Sequence, residues 1–289
     1  MKILFLSQSR ARVGLASLIL LAAAIGLIDA QAEVSHTQAN VCAAAGAEHS
    51  IFVDSDGSAW AVGQNSNGQL GDGTTTFRDA VVRVQGSAGN LVGTVSAAAG
   101  GSHSLFLRAD GTVWAAGLGS SGQLGNGGSA SHTLAVPVIT ANGPLSGIKA
   151  VAAGSTYSMA LSVAGEVWVW GNNASGQLGI RTTTSQLQAV KVPGLSQVVA
   201  IAAGEQHSYA VKSDGTVLAF GRNSNGQLGN GTTASSSVPV IVQGGSGALT
   251  NVVAVAAGSN HGVFLKSDGS AWAVGLNSTG QLGDGTSTQ

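Results

Sequence analysis

The tetrapeptide Gly-Gln-Leu-Gly recurs five times in this 289-residue chain, running from Gly68 to Gly71, Gly122 to Gly125, Gly176 to Gly179, Gly226 to Gly229 and Gly280 to Gly283, in steps of 54, 54, 50 and 54 residues. A second marker, Ala-Ala-Gly followed three residues later by an aromatic ring, ends at Gly46, Gly100, Gly154, Gly204 and Gly258 and keeps the same steps. A period of this length means that each unit is one supersecondary element, unable to bury its own apolar surface and stable only against its neighbours. The units run from about 41–94, 95–148, 149–198, 199–252 and 253–289.

Within a unit the local signals are those of strands. In the second copy Ser104-Leu105-Phe106-Leu107 precedes Asp110-Gly111, which precedes Thr112-Val113-Trp114-Ala115-Ala116. Asp-Gly between two apolar runs marks a hairpin, because glycine supplies the positive φ that the turn needs. The turn recurs at Asp56-Gly57, Asp214-Gly215 and Asp268-Gly269, and the third copy keeps its glycine as Ala164-Gly165. A short Ala/Val run precedes each hairpin and, in the first four copies, a Val-rich run follows the Gly-Gln-Leu-Gly loop, giving about four strands per unit. Leu105, Phe106 and Leu107 do not alternate with polar residues, which is the pattern of a strand covered on both faces. Four-stranded sheets stacked radially have that property, so the expected fold is all-β, a β-propeller built from five tandem repeats of about 50–54 residues.

Ala-Ala-Gly-x-x-His-Ser, Asp-Gly-x-Val-Trp and Gly-x-Asn-x-x-Gly-Gln-Leu-Gly, seen together between Ala202 and Gly229, resemble the repeat of the regulator-of-chromosome-condensation family, in its secreted bacterial form. The resemblance runs from about Cys42 to Gly285 and implies a propeller, typically of seven blades, closed by strands from both chain ends. This chain departs from that plan: it carries five copies, and the fifth stops before the Val-rich run, while Glu33 to Asn40 holds no obvious substitute. Three arrangements fit: a five-bladed ring with a thin last blade, an arc completed by self-association through the unclosed blade edge, or a piece of a longer, truncated propeller. The missing run favours an incomplete arc, whose open edge is an aggregation liability.

Residues 1–32 read as a secretory signal peptide: Lys2, Arg10 and Arg12 give a positive start, Val13 to Ile28 is uncharged, and Ala30-Gln31-Ala32 is a small-residue cleavage site. The propeller domain is then 33–289, secreted or periplasmic, with no membrane contact beyond the leader. It retains nine basic and twelve acidic residues, a formal charge of −3. Phosphate backbones are held by clustered Lys and Arg, so nucleic acid is not an expected partner. A single cysteine, Cys42, rules out an internal disulfide framework and aligns with Ser96, Ala150, Ala200 and Ala254, the place of a small buried side chain.

His49, His103, His207 and His261 share one repeat position, with Tyr157 in the third copy. One ring per blade is spread around the propeller, so these read as structural groups bonded to backbone beside the glycine turn rather than as metal ligands or catalytic bases. The repeated glycines Gly68, Gly71, Gly122, Gly125, Gly176, Gly179, Gly226, Gly229, Gly280 and Gly283 are likewise structural. Asp54-Ser55-Asp56-Gly57 begins like a calcium loop but lacks the later oxygen ligands. No nucleophile elbow, phosphate loop or zinc motif occurs, so no catalytic, metal or cofactor site is expected, and no cofactor.

Function in repeat arrays tends to sit where copies differ. The loops after Gly-Gln-Leu-Gly differ most, and they contribute Phe77, Arg78 and Arg181, residue types enriched at binding hot spots. The leading expectation is an exported noncatalytic scaffold holding a protein or glycan partner through these loops. The resemblance offers a secreted inhibitor of β-lactamase as an analogy only. Guanine-nucleotide exchange, implied by the family's nuclear founder, conflicts with the leader; a polysaccharide-active propeller enzyme would need an acid–base pair that the sequence does not present.

Overall fold

A computed structural model describes residues 42–245 and 247–288. The proposed leader, residues 1–32, and the segment 33–41 lie outside them. Every element among the described residues is a strand.

The first sheet contains Cys42–Ala45, His49–Val53, Ala59–Gly63 and Arg78–Arg83, in that order and antiparallel throughout. The second repeats this order with Thr94–Ala99, His103–Arg108, Val113–Gly117 and His132–Pro137. The third uses Ile148–Ala153, Tyr157–Ser162, Val167–Gly171 and Gln186–Lys191, and the fourth Val198–Ala203, His207–Lys212, Val217–Gly221 and Ser236–Ile241. The fifth has three strands, Val252–Ala257, His261–Lys266 and Ala271–Gly275. Short pairings in the connections escaped the sequence: Gln85–Gly86 pairs with Gly89–Asn90 and adds in parallel to the outer strand of the second sheet at Ala135, and Ile139–Thr140 pairs with Gly143–Pro144.

The second and third strands of each sheet meet at the expected turns. Gly57, Gly111, Gly165, Gly215 and Gly269 all have φ between 77° and 83°, a region where a Cβ is strained. In the Asp-Gly copies the aspartate accepts from the backbone two residues on, as Asp110 does from Thr112 N–H at 3.0 Å, and this Asx turn fixes the hairpin.

Four apolar cores lie between successive sheets. Leu105 and Leu107 face the third sheet, meeting Ala160 and Trp170, while Phe106, between them in sequence, faces the first sheet and meets Ile51 and Ala61. Strand alternation thus sends consecutive apolar residues into different cores, which explains the continuous apolar runs. The same relation places Met159 and Leu161 against Phe220, and Val211 and Val217 against Phe264. Each fully buried side chain of this size contributes about 1.5–3 kcal/mol, so a blade gains its stability from its neighbours.

The ends of the array differ from its middle. Backbone hydrogen bonds link successive blades from Ala47 N–H to the Gly100 carbonyl, Gly101 to Ser155, Ser155 to Glu205 and Glu205 to Ser259. Among the described residues no such bond joins the fifth blade to the first. Phe52 is 41% exposed, whereas Phe106 and Phe264, in the same repeat position, are fully buried. Cys42, expected to be enclosed, is half-buried, on the first strand of the first sheet.

Candidate binding face

The site is built from the ends of the third strands. Gly63, Gly117, Gly171, Gly221 and Gly275 leave their strands at φ of 99° to 111°, and the loop that follows is held by a buried asparagine. Asn65 Nδ2 donates to Asp72 Oδ1 at 3.0 Å and to the carbonyls of Thr74 and Thr76 at 3.1 Å each, while its Oδ1 accepts from Leu70 N–H at 3.0 Å. Asn173, Asn223 and Asn277 make corresponding bonds in their copies. One amide thereby satisfies a whole loop, a role that the Gly-x-Asn motif carries in the sequence without revealing it. The second copy has Gly119 there, where a Cβ would collide with the Ala130 carbonyl.

The first three of these loops then lean on the next blade. Gly73 N–H donates to the Thr133 carbonyl at 2.9 Å, Gly127 to Leu187 at 2.9 Å and Arg181 to Ser237 at 2.8 Å. Reaching that carbonyl calls for a left-handed residue: φ is 83° at Gly73 and 87° at Gly127, and the corresponding Gly231 and Gly285 have φ of 76° and 81°. In the third copy the residue in this position is Arg181, at φ 67°.

The sequence brought Phe77, Arg78 and Arg181 forward, and the structure separates them. Arg78 is turned inward: its Nε donates to Asp72 Oδ2 at 2.8 Å and its Nη2 lies 2.7 Å from the same oxygen. Burial alone would raise the Asp72 carboxyl; Thr74, Arg78 and Asn65 together hold it below the ordinary carboxylate value. Arg78 therefore braces its own loop. Phe77 is 60% exposed. It stands where Ser131, Ser185 and Ser235 accept a hydrogen bond from the backbone N–H of Gly119, Asn173 and Asn223, so the first copy gives up that tie for an exposed ring. Arg181 is also exposed. Both side chains belong to loops of the same type at the same end of the blades, in the first and third copies.

The repeated rings sit beneath this face. A Cβ on Gly100 or Gly204 would overlap the ring of His103 or His207; these glycines are required by contact with the imidazole, not by φ. The sequence assigned the imidazoles to backbone partners, but His49 Nε2 lies 3.0 Å from Ser104 Oγ and His103 Nε2 lies 2.9 Å from Ser158 Oγ, hydroxyls of the following blade. Those hydroxyls donate back to the Gln69 and Gln123 carbonyls at 2.6 and 2.9 Å. The glutamine of Gly-Gln-Leu-Gly, the ring of Gly-x-x-His and the adjoining serine thus form one bridge across each of these junctions. Tyr157 replaces the imidazole, donating to the His207 carbonyl and standing 2.9 Å from Ser208 Oγ. Burial lowers His49 to about 4, His103 to about 3 and His207 to about 4, so these rings are neutral near pH 7.

The tryptophans of the third strands carry cations: Arg83 lies 5.2 Å over Trp60 and Lys191 5.1 Å over Trp168. Trp170, outside that register, sends its Nε1–H to the Gln123 carbonyl of the preceding blade at 2.9 Å. Among the described residues no group of three His, Cys, Asp or Glu side chains could hold a metal ion.

A family model for the RCC1-like domain matches residues 24–289. The chain belongs to the RCC1-like domain family. As an RCC1-like domain it is similar to a protein RCC2 homolog of Danio rerio, 35% identical over 147 residues, 51% of this chain and 28% of the relative. It is 34% identical over 243 residues to the E3 ubiquitin-protein ligase HERC2 of Homo sapiens, 84% of this chain and 4% of that one. Among solved structures, human WBSCR16 superposes with a TM-score of 0.75 at 26% identity over 86% of this chain and 65% of that one. Yeast RCC1 (Prp20), solved bound to Kap60, gives 0.68 at 24% identity over 82% and 56%. This RCC1-like domain therefore spans only part of the relatives it matches, and it shares their β-propeller fold.

Proposed function

We propose that the protein is an exported, noncatalytic binding scaffold whose ligand, a protein or a glycan, is held by the loops that follow Gly-Gln-Leu-Gly. One observation carries the reading. At two loop positions where a copy abandons a scaffold residue with a visible structural duty, the replacement is an exposed hot-spot type: Phe77 for a hydrogen-bonding serine and Arg181 for a left-handed glycine. Giving up local stability at an exposed position is the pattern of a residue kept for contact with something else. The scaffold beneath is rigid, which suits presentation of loops. One RCC1-like relative is named an X-linked retinitis pigmentosa GTPase regulator homolog, in keeping with a role in recognition.

The test is capture with the full chain. The protein is exported with its leader, purified and immobilised, and proteins and glycans from its own extracellular or periplasmic fluid are passed over wild type, Phe77→Ser and Arg181→Gly. Retention by wild type that falls at least tenfold in either variant supports the loop face. Equal retention by all three overturns it. Arg78→Ala is unsuitable as a contact probe because it removes the brace on Asp72.

A further inference from the structure

The ends of the five first strands and the turns that follow them line an open cavity of about 430 Å³. Its walls are small. After the ring-bearing glycine of each blade stand Ala47, Gly101, Ser155, Glu205 and Ser259. Among the described residues Glu205 is the only charged one lining the cavity, and its carboxylate has no hydrogen-bond or ion-pair partner among them. In the sequence it stands out as the exception at a position otherwise filled by Ala, Gly or Ser.

The wall chemistry narrows what this space can take. The N–H groups of Ala47, Gly101, Ser155 and Glu205 are spent on the carbonyls of the next blade at 3.2 to 3.3 Å, so they run around the ring. An anion would lose those donors and meet a like charge. A divalent cation needs several oxygen ligands, and one carboxylate with no second acidic, His or Cys group does not supply them. An unpaired carboxylate in a concave site, where field lines are focused, attracts a monocation. Methyl groups and glycine Cα atoms around it suit a methylene stem. We infer that the cavity is a binding site for a primary alkylammonium group, its head paired with Glu205 and its stem on the Ala and Gly walls.

Such a group can come from a small free amine or from a lysine side chain of a peptide, and two probes separate them. The full chain is titrated calorimetrically with 1,5-diaminopentane and with an acetylated Gly-Gly-Lys-Gly-Gly amide, in low salt. Saturable binding of at least one probe is expected, weakened at least tenfold by Glu205→Ser and unchanged by Phe77→Ser. Serine already occupies this position in the third and fifth blades, so the variant keeps the fold, which a melting curve checks. Binding of the diamine alone assigns a free amine, and binding of the peptide alone assigns a partner's lysine. No saturable heat with either probe, or equal affinity in Glu205→Ser, overturns the inference. Loss of amine binding in Phe77→Ser also overturns it, because the cavity is separate from the loop face.

Discussion

Tyr209 fills the volume that a side chain on Gly262 would need: its phenol oxygen lies where the Cβ would be, and it donates to the Gln227 carbonyl. At the three preceding junctions that carbonyl is served by a serine of the following blade, Ser104, Ser158 or Ser208. The fifth blade has Gly262 in the serine position, and the fourth blade supplies the donor itself by placing Tyr209 where the other copies have Ile51, Leu105, Met159 and Val263. The two departures compensate one another.

Exchanging them should show this directly. Gly262→Ser alone forces a side chain into an occupied space and should cost about 1–3 kcal/mol. Tyr209→Leu alone leaves the Gln227 carbonyl without its donor and opens a cavity, at about 2–4 kcal/mol. The double variant restores the pattern of the earlier junctions and should lose less than the sum of the two by more than 1 kcal/mol. Urea melts of all four proteins measure the coupling; strict additivity would refute the compensation.

Stability should fall as solutions become acidic, well before the carboxylates titrate. His49, His103 and His207 are held near 4, 3 and 4 in the fold against an ordinary value of 6.5. A folded-state pKa below the unfolded one means that the unfolded chain takes up protons first. The contribution is complete above about pH 6.5 and is lost as pH drops toward 4, by about 2 kcal/mol per ring between pH 6.5 and 5. Thermal melts from pH 7.5 to 4.5 check this. A His103→Tyr variant, imitating Tyr157, should flatten part of the slope.

Returning the loop exceptions to the repeat pattern should stabilise the protein. Arg181→Gly relieves a left-handed non-glycine residue worth about 1 kcal/mol, and Phe77→Ser exchanges the Gln64 Oε1 acceptor of the Asn65 N–H, 2.9 Å away, for the cross-loop hydroxyl of the other copies, worth about 0.5 kcal/mol. Each should raise the melting temperature by about 2–4 °C while weakening partner capture. A gain in stability with capture intact would leave the loop face without support.

The loop asparagines should be more costly to lose than any loop contact residue. Asn223 makes several hydrogen bonds within its loop, including 2.8 Å from Leu228 N–H to its Oδ1 and 2.9 Å from its Nδ2 to the Thr232 carbonyl. Asn223→Ala should cost about 2–4 kcal/mol, because it strands buried backbone groups. Hydrogen exchange should quicken first at Leu228 and in residues 230–235, and unchanged protection there would contradict the assigned role.

Much of this molecule follows from its residues alone. Period, turn glycines and doubly apolar strands point to a stack of small twisted sheets, an arrangement that covers Leu105, Phe106 and Leu107 together. Among the described residues the fifth sheet has three strands. What tertiary structure decided is which residues meet across a junction. His103 and Ser158 are 55 residues apart, and only stacking shows that the imidazole answers a hydroxyl of the next blade rather than its own backbone. Arg78 and Arg181 look alike in a variable loop, yet one is half-buried and paired with Asp72 and the other holds a glycine's backbone conformation in the open. Local propensity is carried by neighbours along the chain and can be read there; hydrogen-bond partnership, burial and φ at a shared position depend on what the adjoining blade places opposite.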